Sequence, residues 1–239
     1  KSKFWNREVF APTIISSILP DKIVVLTDAY DEIKAQIMDK FPDLEDRIEN
    51  KNFFYKESLI KRYHNAKSKE ITEVLEYIRT NGLDVFNYSF ADKYKDLEVN
   101  VYFDEQHKLY YVYHQGHKLY ISRSYKTRES VRDYYRSILL EQDKRSPHRY
   151  MNENFNVNTG DVVVDIGVAE GNFSLEIIQR VSKIYMIEAD DNWIEALKLT
   201  FAPFENKVII IKGFMSSYNE GKLITLDSVI HEPVNFIKM

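Results

Sequence analysis

The spacing of hydrophobic and polar residues changes along this chain, and each change predicts a different kind of structure. Near the start, residues 22–27 form a short apolar run rich in β-branched side chains, which is typical of a buried strand. Apolar residues then recur at helical spacing over 28–41, and Pro42 limits that helix. A strand followed at once by a helix is the pattern of an α/β fold.

The next stretch, residues 43–66, is mixed and charged, and it predicts no regular element beyond a short apolar turn at Phe53 and Phe54. A better helix is predicted over 67–81, because its apolar residues share one face and a glycine follows its last turn. Together these elements predict an N-terminal α/β region over residues 1–83.

Residues 84–125 switch to the two-residue alternation that is typical of strands. Three short strands are predicted there, joined by tight turns, and Gly116 supplies one of these turns. Helical spacing returns over 127–142. The sequence therefore predicts an antiparallel β-meander and a helix, which form a connecting region over residues 84–145.

From residue 160 onward, apolar strands and amphipathic helices alternate. Strands joined by helices at this spacing form βαβ crossovers, which build a mostly parallel sheet. The sequence thus predicts an α/β fold whose sheet lies in a C-terminal domain over residues 146–239. The predicted strands are 161–167, 183–189, 207–211 and 234–239, and the predicted helices are 172–182 and 191–201.

A glycine turn and an acidic residue follow the first two strands of this sheet, at the edge where α/β proteins bind ligands. The turn reads DIGVAEG over 165–171, in which Gly167 lets the chain leave the strand and Gly171 lets the next helix begin close to a ligand. Glu188 ends the second strand, where a carboxylate can accept hydrogen bonds from both hydroxyls of a ribose. This layout predicts a nucleoside ligand.

The spacing of the turn distinguishes between classes of nucleoside. A dinucleotide fingerprint carries a middle glycine that makes room for pyrophosphate, but Ala169 stands in that region here. Glu170 would also repel a pyrophosphate, whereas it would favour a cationic ligand such as S-adenosylmethionine. The alternative interpretation is a tight structural turn with an ordinary surface glutamate.

Five segments of the C-terminal domain follow one another in a series that is found in a known family. They read DVVVDIGVAEGNFSLEI, IYMIEAD, KVIII, ITLDSVI and VNFIKM. In this order they resemble the FkbM family of S-adenosylmethionine-dependent methyltransferases, over roughly residues 146–239. The departure is Ala169-Glu170, where the family often has Ala-Asn one position earlier.

The resemblance implies a class I Rossmann-like methyltransferase sheet and O-methylation, often of a sugar hydroxyl in a glycan or a glycosylated natural product. It assigns the methionine part of the cofactor to Asp165 and the glycine loop, the ribose to Glu188, and the adenine to residues after the second and third strands. For Phe214 the alternative is plain core packing. The cofactor-binding residues implied are Asp165, Gly167, Ala169, Glu170, Gly171, Asn172, Glu188, Ala189, Asp190, Phe214 and Met215.

Two residues are candidates for the chemical step. His148 could act as the base that removes the hydroxyl proton, because neutral histidine accepts protons near neutral pH. Lys238 would lie at the end of the fourth strand, beside the methyl group, and orient the acceptor or a carboxylate. The alternatives are a structural histidine and an acidic base beyond residue 239.

Composition and charge narrow the classes of function. The chain has 239 residues and a net charge of -4, which disfavours a generally basic nucleic-acid binder. It has no cysteine, so disulfides and thiolate zinc sites are excluded, and three histidines near the meander are not expected to bind a metal. The apolar runs are too short to cross a membrane and no signal peptide is recognised, so we expect a cytoplasmic protein. The bacterial setting is implied by the resemblance. The oligomeric state is not predicted.

One basic segment stands out from this acidic background. Residues 117–149 contain nine lysines and arginines against four acids. The segment could bind an anionic substrate such as a sugar phosphate, a nucleotide sugar or an acidic glycan. The alternative is a solvated helix face with its own ion pairs.

The resemblance also bears on the ends of the chain and on rival functions. The family's sheet continues past a fourth strand with an acidic motif, so we expect an interior part of a longer protein whose sheet is incomplete at the C-terminus. Residues 1–33 resemble the second half of a Rossmann-like unit, and the alternative is a complete small α/β domain. The rival functions are a non-catalytic nucleotide-binding or interaction module and an NAD-dependent sugar-modifying enzyme.

Overall fold

The computed structural model describes residues 2–4, 7–9 and 11–239, and the chain divides into two compact units. Unit 1 comprises Lys1–Ala91 and unit 2 comprises Asp92–Met239. Residues 1, 5, 6 and 10, which belong to the N-terminal resemblance, lie outside the described residues. No helix within the described ranges combines the length and apolar content needed to cross a bilayer.

Among its described residues, unit 1 contains two small sheets and four α-helices. Strands β1 and β2 pair antiparallel, whereas β3 and β4 pair parallel, with a helical crossover between them. Val25 and Ile48 are buried on this parallel pair, as expected for the predicted α/β region. The elements are β1 Ser2–Phe4, β2 Arg7–Val9, α1 Ile15–Ile18, β3 Ile23–Val25, α2 Tyr30–Lys40, β4 Ile48–Asn50, α3 Lys51–Tyr63 and α4 Lys69–Asn81.

The prediction for residues 43–66 was wrong. The segment holds a 3₁₀ helix, the strand β4 and the 13-residue helix α3 instead of an isolated apolar turn. The missed signal is Asn50, whose side chain accepts hydrogen bonds from the backbone N–H of Asn52 (2.9 Å) and Phe53 (3.2 Å). Such an N-cap satisfies the first amides of a helix even where the apolar spacing is poor.

Unit 2 begins with the predicted meander and helix. The first strand is shorter than its alternation suggested and starts at Tyr102. Gly116 lies in the tight turn between β6 and β7, and His117 begins β7 directly opposite His114. A capping box between Thr127 and Ser130 starts the helix. The elements are α5 Asp92–Lys95, β5 Tyr102–Asp104, β6 Leu109–His114, β7 His117–Tyr120 and α6 Arg128–Glu141.

The C-terminal part of unit 2 holds a parallel four-stranded sheet, in the order β10-β9-β8-β13. The α/β fold with a Rossmann-like parallel sheet is thereby confirmed. The helix predicted over 172–182 is shorter and ends at Ile177. The elements are β8 Val162–Ile166, α7 Asn172–Ile177, β9 Lys183–Glu188, α8 Asp191–Phe201, β10 Val208–Lys212, β11 Phe214–Met215, β12 Leu223–Ile224, α9 Leu226–Val229 and β13 Phe236–Lys238.

Burial on both faces explains why the sheet strands are continuously apolar. Val163 and Val164 are each 0% exposed although they point to opposite faces of β8. One hydrophobic cluster joins Val163 to Leu119 of the meander and Val131 of α6. The meander and α6 therefore pack onto the same core as one face of the sheet, although the sequence division into regions 84–145 and 146–239 stays a prediction.

We expect Gly171→Ala to destabilise unit 2 because it combines backbone strain with overpacking. Gly171 has a φ of +83°, and an added Cβ would lie 2.8 Å from Phe201 Cε2 and 2.9 Å from Leu197 Cδ2. Gly160→Ala is the matched control, since Gly160 has a φ of +89° and its Cβ would meet no described atom within 4 Å. Chemical denaturation should show Gly171→Ala costing about 1–3 kcal/mol more than Gly160→Ala. Equal losses would mean that the contacts with α8 are not tight.

Candidate functional site at the carboxyl edge of the sheet

The loop between β8 and α7 bends through three left-handed residues. Their φ angles are +66° at Gly167, +50° at Ala169 and +83° at Gly171. Gly167 is exposed, and a Cβ there would meet no described atom within 4 Å, so the loop leaves open space at this point. Ala169 adopts the left-handed region in spite of its Cβ, at a cost of about 1–2 kcal/mol, so surrounding contacts must hold it.

The Glu188 carboxylate supplies one of these contacts. Its Oε2 accepts a hydrogen bond from the Ala169 N–H (2.9 Å). Its Oε1 accepts from the N–H groups of Ala189 (2.7 Å) and Asp190 (2.9 Å). The acid at the end of β9 and the loop after β8 therefore meet directly. Because a carboxylate has about four acceptor positions, one remains for a ligand hydroxyl without displacing a backbone N–H.

A buried ion pair lies beneath the loop. The Lys238 Nζ is 2.9 Å from Asp165 Oδ1, and the two residues are 9% and 1% exposed. Ser174 Oγ donates to the other carboxylate oxygen of Asp165 (2.8 Å). Lys238 also donates to the carbonyl oxygens of Gly167 (3.1 Å) and Ile166 (3.4 Å), and its Nζ lies 4.9 Å from the centre of the Tyr150 ring.

Burial and charge act in opposite directions on this pair. Burial raises the pKa of the Asp165 carboxyl, while Lys238 and Ser174 oppose the shift. Burial would lower the pKa of Lys238, but the adjacent Asp165 carboxylate outweighs it, and the net shift is upward. Lys238 is therefore protonated, and its three N–H donors point at protein acceptors. This geometry makes it a positioning residue for Asp165 and the loop, and its predicted role beside a transferred methyl stays a prediction.

Glu170 does not occupy the surface position that the sequence argument assumed. It is 6% exposed, and its Oε2 accepts a hydrogen bond from the Tyr134 hydroxyl of α6. Burial raises the pKa of the Glu170 carboxyl, and the hydrogen bond from the Tyr134 hydroxyl offsets part of this rise. The Tyr134 ring packs against Tyr125 and Trp193 at centroid distances of 4.5 and 5.6 Å. Glu170 is therefore not an exposed charge that would repel a pyrophosphate, as the sequence suggested.

The remaining predicted cofactor residues occupy different environments. Phe214 is 56% exposed, so it is not packed into the core, whereas Met215 is half-buried and packs against the second core cluster. Asp190 caps α8 by accepting from the Asn192 N–H (2.8 Å). Ala189 is half-buried and Asn172 is buried. Their roles in binding stay predictions.

The candidate base lies on the segment before β8. His148 is exposed, and its backbone N–H donates to Ser146 Oγ (3.2 Å). Tyr150, two residues on, has its ring centre 4.9 Å from Lys238 Nζ. Proton transfer to His148 stays a prediction.

Several cations of the basic segment serve the protein itself. Arg123 pairs with Glu195 of α8 (Nε to Oε2, 2.9 Å). Arg128 and Arg136 donate to the backbone carbonyls of Val101 and Leu97. For these three arginines, the structure shows an ion pair and backbone contacts within the protein.

Sequence reasoning missed two of the side chains that complete the site. Ser174 stands in the quoted segment DVVVDIGVAEGNFSLEI, within the first turn of α7, so its position was a usable signal. Tyr134 lies on a helix 36 positions before Glu170, and apolar spacing assigned it to the packed face of that helix. A pattern of hydrophobicity does not show the partner of a phenolic hydroxyl.

Among known proteins, only solved structures show similarity to this chain. No known family profile matches the sequence, and no curated protein matches it. Methyltransferase FkbM from Methylobacillus flagellatus KT aligns at 16% identity with a TM-score of 0.35, covering 38% of this chain and 28% of that chain.

Other structural neighbours differ in kind. A dimethyladenosine transferase from Plasmodium falciparum aligns at 21% identity with a TM-score of 0.24, over 28% of this chain and 24% of its own. Trm5b from Pyrococcus abyssi aligns at 17% identity with a TM-score of 0.28, over 44% of this chain and 28% of its own. The neighbours thus include methyltransferases, of which FkbM is one of several. The aligned parts span less than a third of each neighbour, and the similarity is too low to assign a function.

We expect Lys238→Met to be strongly destabilising. The variant leaves the buried Asp165 carboxylate without its cation, which typically costs about 3–5 kcal/mol. The double variant Asp165→Asn/Lys238→Met removes both charges, so its loss should be smaller than the sum of the two single losses. Urea denaturation of the three variants tests this. Additive losses would show that the two side chains do not interact.

We expect Tyr134→Phe to destabilise the protein by about 1–3 kcal/mol at pH 7, because it removes the hydroxyl that donates to the buried Glu170 carboxylate. The loss should be smaller near pH 4. Burial already raises the pKa of Glu170 in the folded protein, and removing the Tyr134 hydroxyl raises it further. The stability of the variant therefore falls, relative to the wild type, as the pH rises above 4.5, the pKa of this group in the unfolded chain. Tyr125→Phe, in the same aromatic group, is the control. A pH-independent loss would argue against the hydrogen bond.

Proposed function

We propose that unit 2 binds S-adenosylmethionine at the carboxyl edge of its sheet and transfers the methyl group to a hydroxyl of a sugar acceptor. One observation carries the cofactor proposal: the Glu188 carboxylate and the loop after β8 are joined by the hydrogen bond from Ala169. An acid that can hold a ribose and a loop that can hold the amino-acid part thus lie side by side. The sugar acceptor rests on the resemblance to the FkbM family.

The residues at this edge fit the proposed cofactor. Gly167 leaves open space beside the loop. Asp165 Oδ1 is buried and, among the described residues, has no hydrogen bond besides its ion-pair contact with Lys238. Phe214 is exposed and can cover an adenine ring. The half-buried Glu188 carboxylate favours a ligand that carries positive charge.

The protein's contribution to the reaction would be mainly positioning. S-adenosylmethionine supplies an electrophilic methyl group on a sulfonium. Lys238 holds Asp165 and the start of the loop in place, and the remaining acceptor position of Glu188 orients a ribose hydroxyl. His148 is our candidate acceptor, at an imidazole nitrogen, of the proton that the sugar hydroxyl loses. Holding the acceptor hydroxyl in line with the methyl group would supply much of the rate.

Two other functions make different predictions. An NAD-dependent sugar-modifying enzyme needs space for a pyrophosphate, but Ala169 carries a Cβ in the region where the fingerprint has its middle glycine. A non-catalytic binding module agrees with the use of all three Lys238 donors inside the protein. The cytoplasmic location and bacterial setting stay predictions from the sequence.

Calorimetric titration with S-adenosylmethionine and S-adenosylhomocysteine tests the proposal. The full chain should bind both, and Glu188→Gln should weaken binding at least about tenfold, since it removes a charged acceptor from the ribose position. Glu205→Gln, the same change at an exposed residue outside the site, should bind like the wild type.

Several results would contradict the proposal. If neither compound binds while NAD does, the result would favour the NAD-dependent sugar-modifying enzyme. If Glu188→Gln binds S-adenosylmethionine as tightly as the wild type, the site lies elsewhere. Binding without methyl transfer to any sugar acceptor would favour the non-catalytic module.

A further inference from the structure

A cavity with several charged side chains in its wall lies beside the candidate site, and the cofactor candidate Asn172 belongs to both. It has a volume of about 800 Å³, and a neighbouring cavity of about 640 Å³ shares Lys144, Arg149 and Glu176 with it. Both volumes are within the range of about 300–1,000 Å³ that is usual for small-molecule sites. The walls come from α5, the β6–β7 turn, the end of α6, the segment after α6 and α7.

Cations dominate the charged walls. Five cations face three acids in the two cavities together, although the whole chain has a net charge of -4. Two of the cations, Lys93 and Arg180, lie outside the basic segment of residues 117–149. The cations are Lys93, Lys144, Arg145, Arg149 and Arg180, and the acids are Asp143, Glu153 and Glu176.

One of these acids is already neutralised. Asp143 is 8% exposed, and it accepts hydrogen bonds from Lys93 Nζ, the Tyr94 hydroxyl (2.7 Å) and the Arg145 backbone N–H (2.9 Å). Burial by itself would raise the pKa of Asp143, but these partners outweigh it and the net shift is downward. The ionised carboxylate therefore fixes the Lys93 ammonium at the wall of the cavity.

Two arginines are fixed mainly by hydrogen bonds to neutral groups, which do not offset their charge, although Arg149 also forms a long ion pair with Glu176. Arg149 donates from Nε to the Met151 carbonyl (2.9 Å) and from Nη1 to the Gln142 carbonyl (3.3 Å). Its Nη2 is 4.0 Å from Glu176, which is beyond hydrogen-bond distance. Arg180 donates to the Val157 carbonyl (3.3 Å). Guanidinium groups held in this way lose little entropy when they bind an oxyanion.

We propose that this cavity binds the oxyanion of an anionic sugar acceptor, either a phosphate ester or a carboxylate. Arg and Lys donors bind both groups through charge-assisted hydrogen bonds. Asn172 lines the cavity and directly follows Gly171 of the candidate loop, so an anion held here would place the rest of the acceptor next to that loop. The inference rests on the proposed function for the identity of its ligand as an acceptor.

Titration of the full chain with three probes tests the inference. Glucose 1-phosphate, glucuronate and glucose present a phosphate, a carboxylate and no charge on similar rings, and calorimetry at low and moderate salt compares them. We expect one or both anions to bind, and glucose to bind at least about tenfold more weakly. The anion that binds more tightly identifies the group that the site recognises.

Variants locate the binding. Lys144 and Arg145 are exposed at the cavity wall, and Asp143, which lies 3.5 Å from Arg145 Nε, keeps its hydrogen bonds from Lys93, Tyr94 and the backbone N–H of residue 145 in the variant. Lys144→Gln/Arg145→Gln should therefore fold normally and weaken anion binding at least about tenfold. Lys126→Gln/Arg132→Gln removes the same charge from elsewhere in the basic segment and should leave binding unchanged. S-adenosylmethionine is titrated into the same samples, because its binding reports on the cofactor site alone.

The outcomes separate the two proposals. Absence of anion binding, or equal weakening by both double variants, would overturn the cavity inference whether or not S-adenosylmethionine binds. Anion binding that only the cavity variant weakens would support it. If that result came with no binding of S-adenosylmethionine, the cavity would stand as an oxyanion site while the proposed methyltransferase function would fail.

Discussion

The ion pair between Asp165 and Lys238 is the interaction on which the carboxyl edge of the sheet depends. The two residues lie opposite each other at the ends of adjacent parallel strands, and the same ammonium group binds the carbonyls of Ile166 and Gly167. Desolvation makes such a pair costly to break, since either charge left alone would be buried without compensation. The start of the loop is therefore tied to the register of β13 against β8.

Three acids near this edge obtain their partners in different ways, and the partners determine what each can do. Asp165 has a lysine and a serine, Glu170 has a tyrosine hydroxyl, and Glu188 has three backbone N–H groups. Glu170 is turned into the protein, so it links the loop to α6. Glu188 is half-buried and keeps acceptor capacity toward the edge, which makes it the acid best placed for a ligand.

The connecting region contributes to both candidate sites. One face of α6 packs into the core shared with the sheet and supplies Tyr134 to the loop. The end of α6 and the segment after it form the wall of the cationic cavity, which reaches α7 at Asn172. The basic residues therefore fall into two groups. Arg123 and Arg128 bind groups of α8 and the meander region, whereas Lys144, Arg145 and Arg149 line the cavity. This division follows from which carbonyls and carboxylates lie within reach of each cation.

The amino-acid pattern by itself determined the parallel sheet, the glycine turn and the acid that ends β9, because these depend on local periodicity and on residues within one βαβ unit. Helix α3 escaped prediction because its signal was a cap at Asn50 instead of an apolar stripe. Only the tertiary structure decided that Lys238 neutralises Asp165, that Glu170 is buried against Tyr134, and which cations share a cavity. Those outcomes depend on groups far apart in the chain, whose distance and burial arise only when the elements pack.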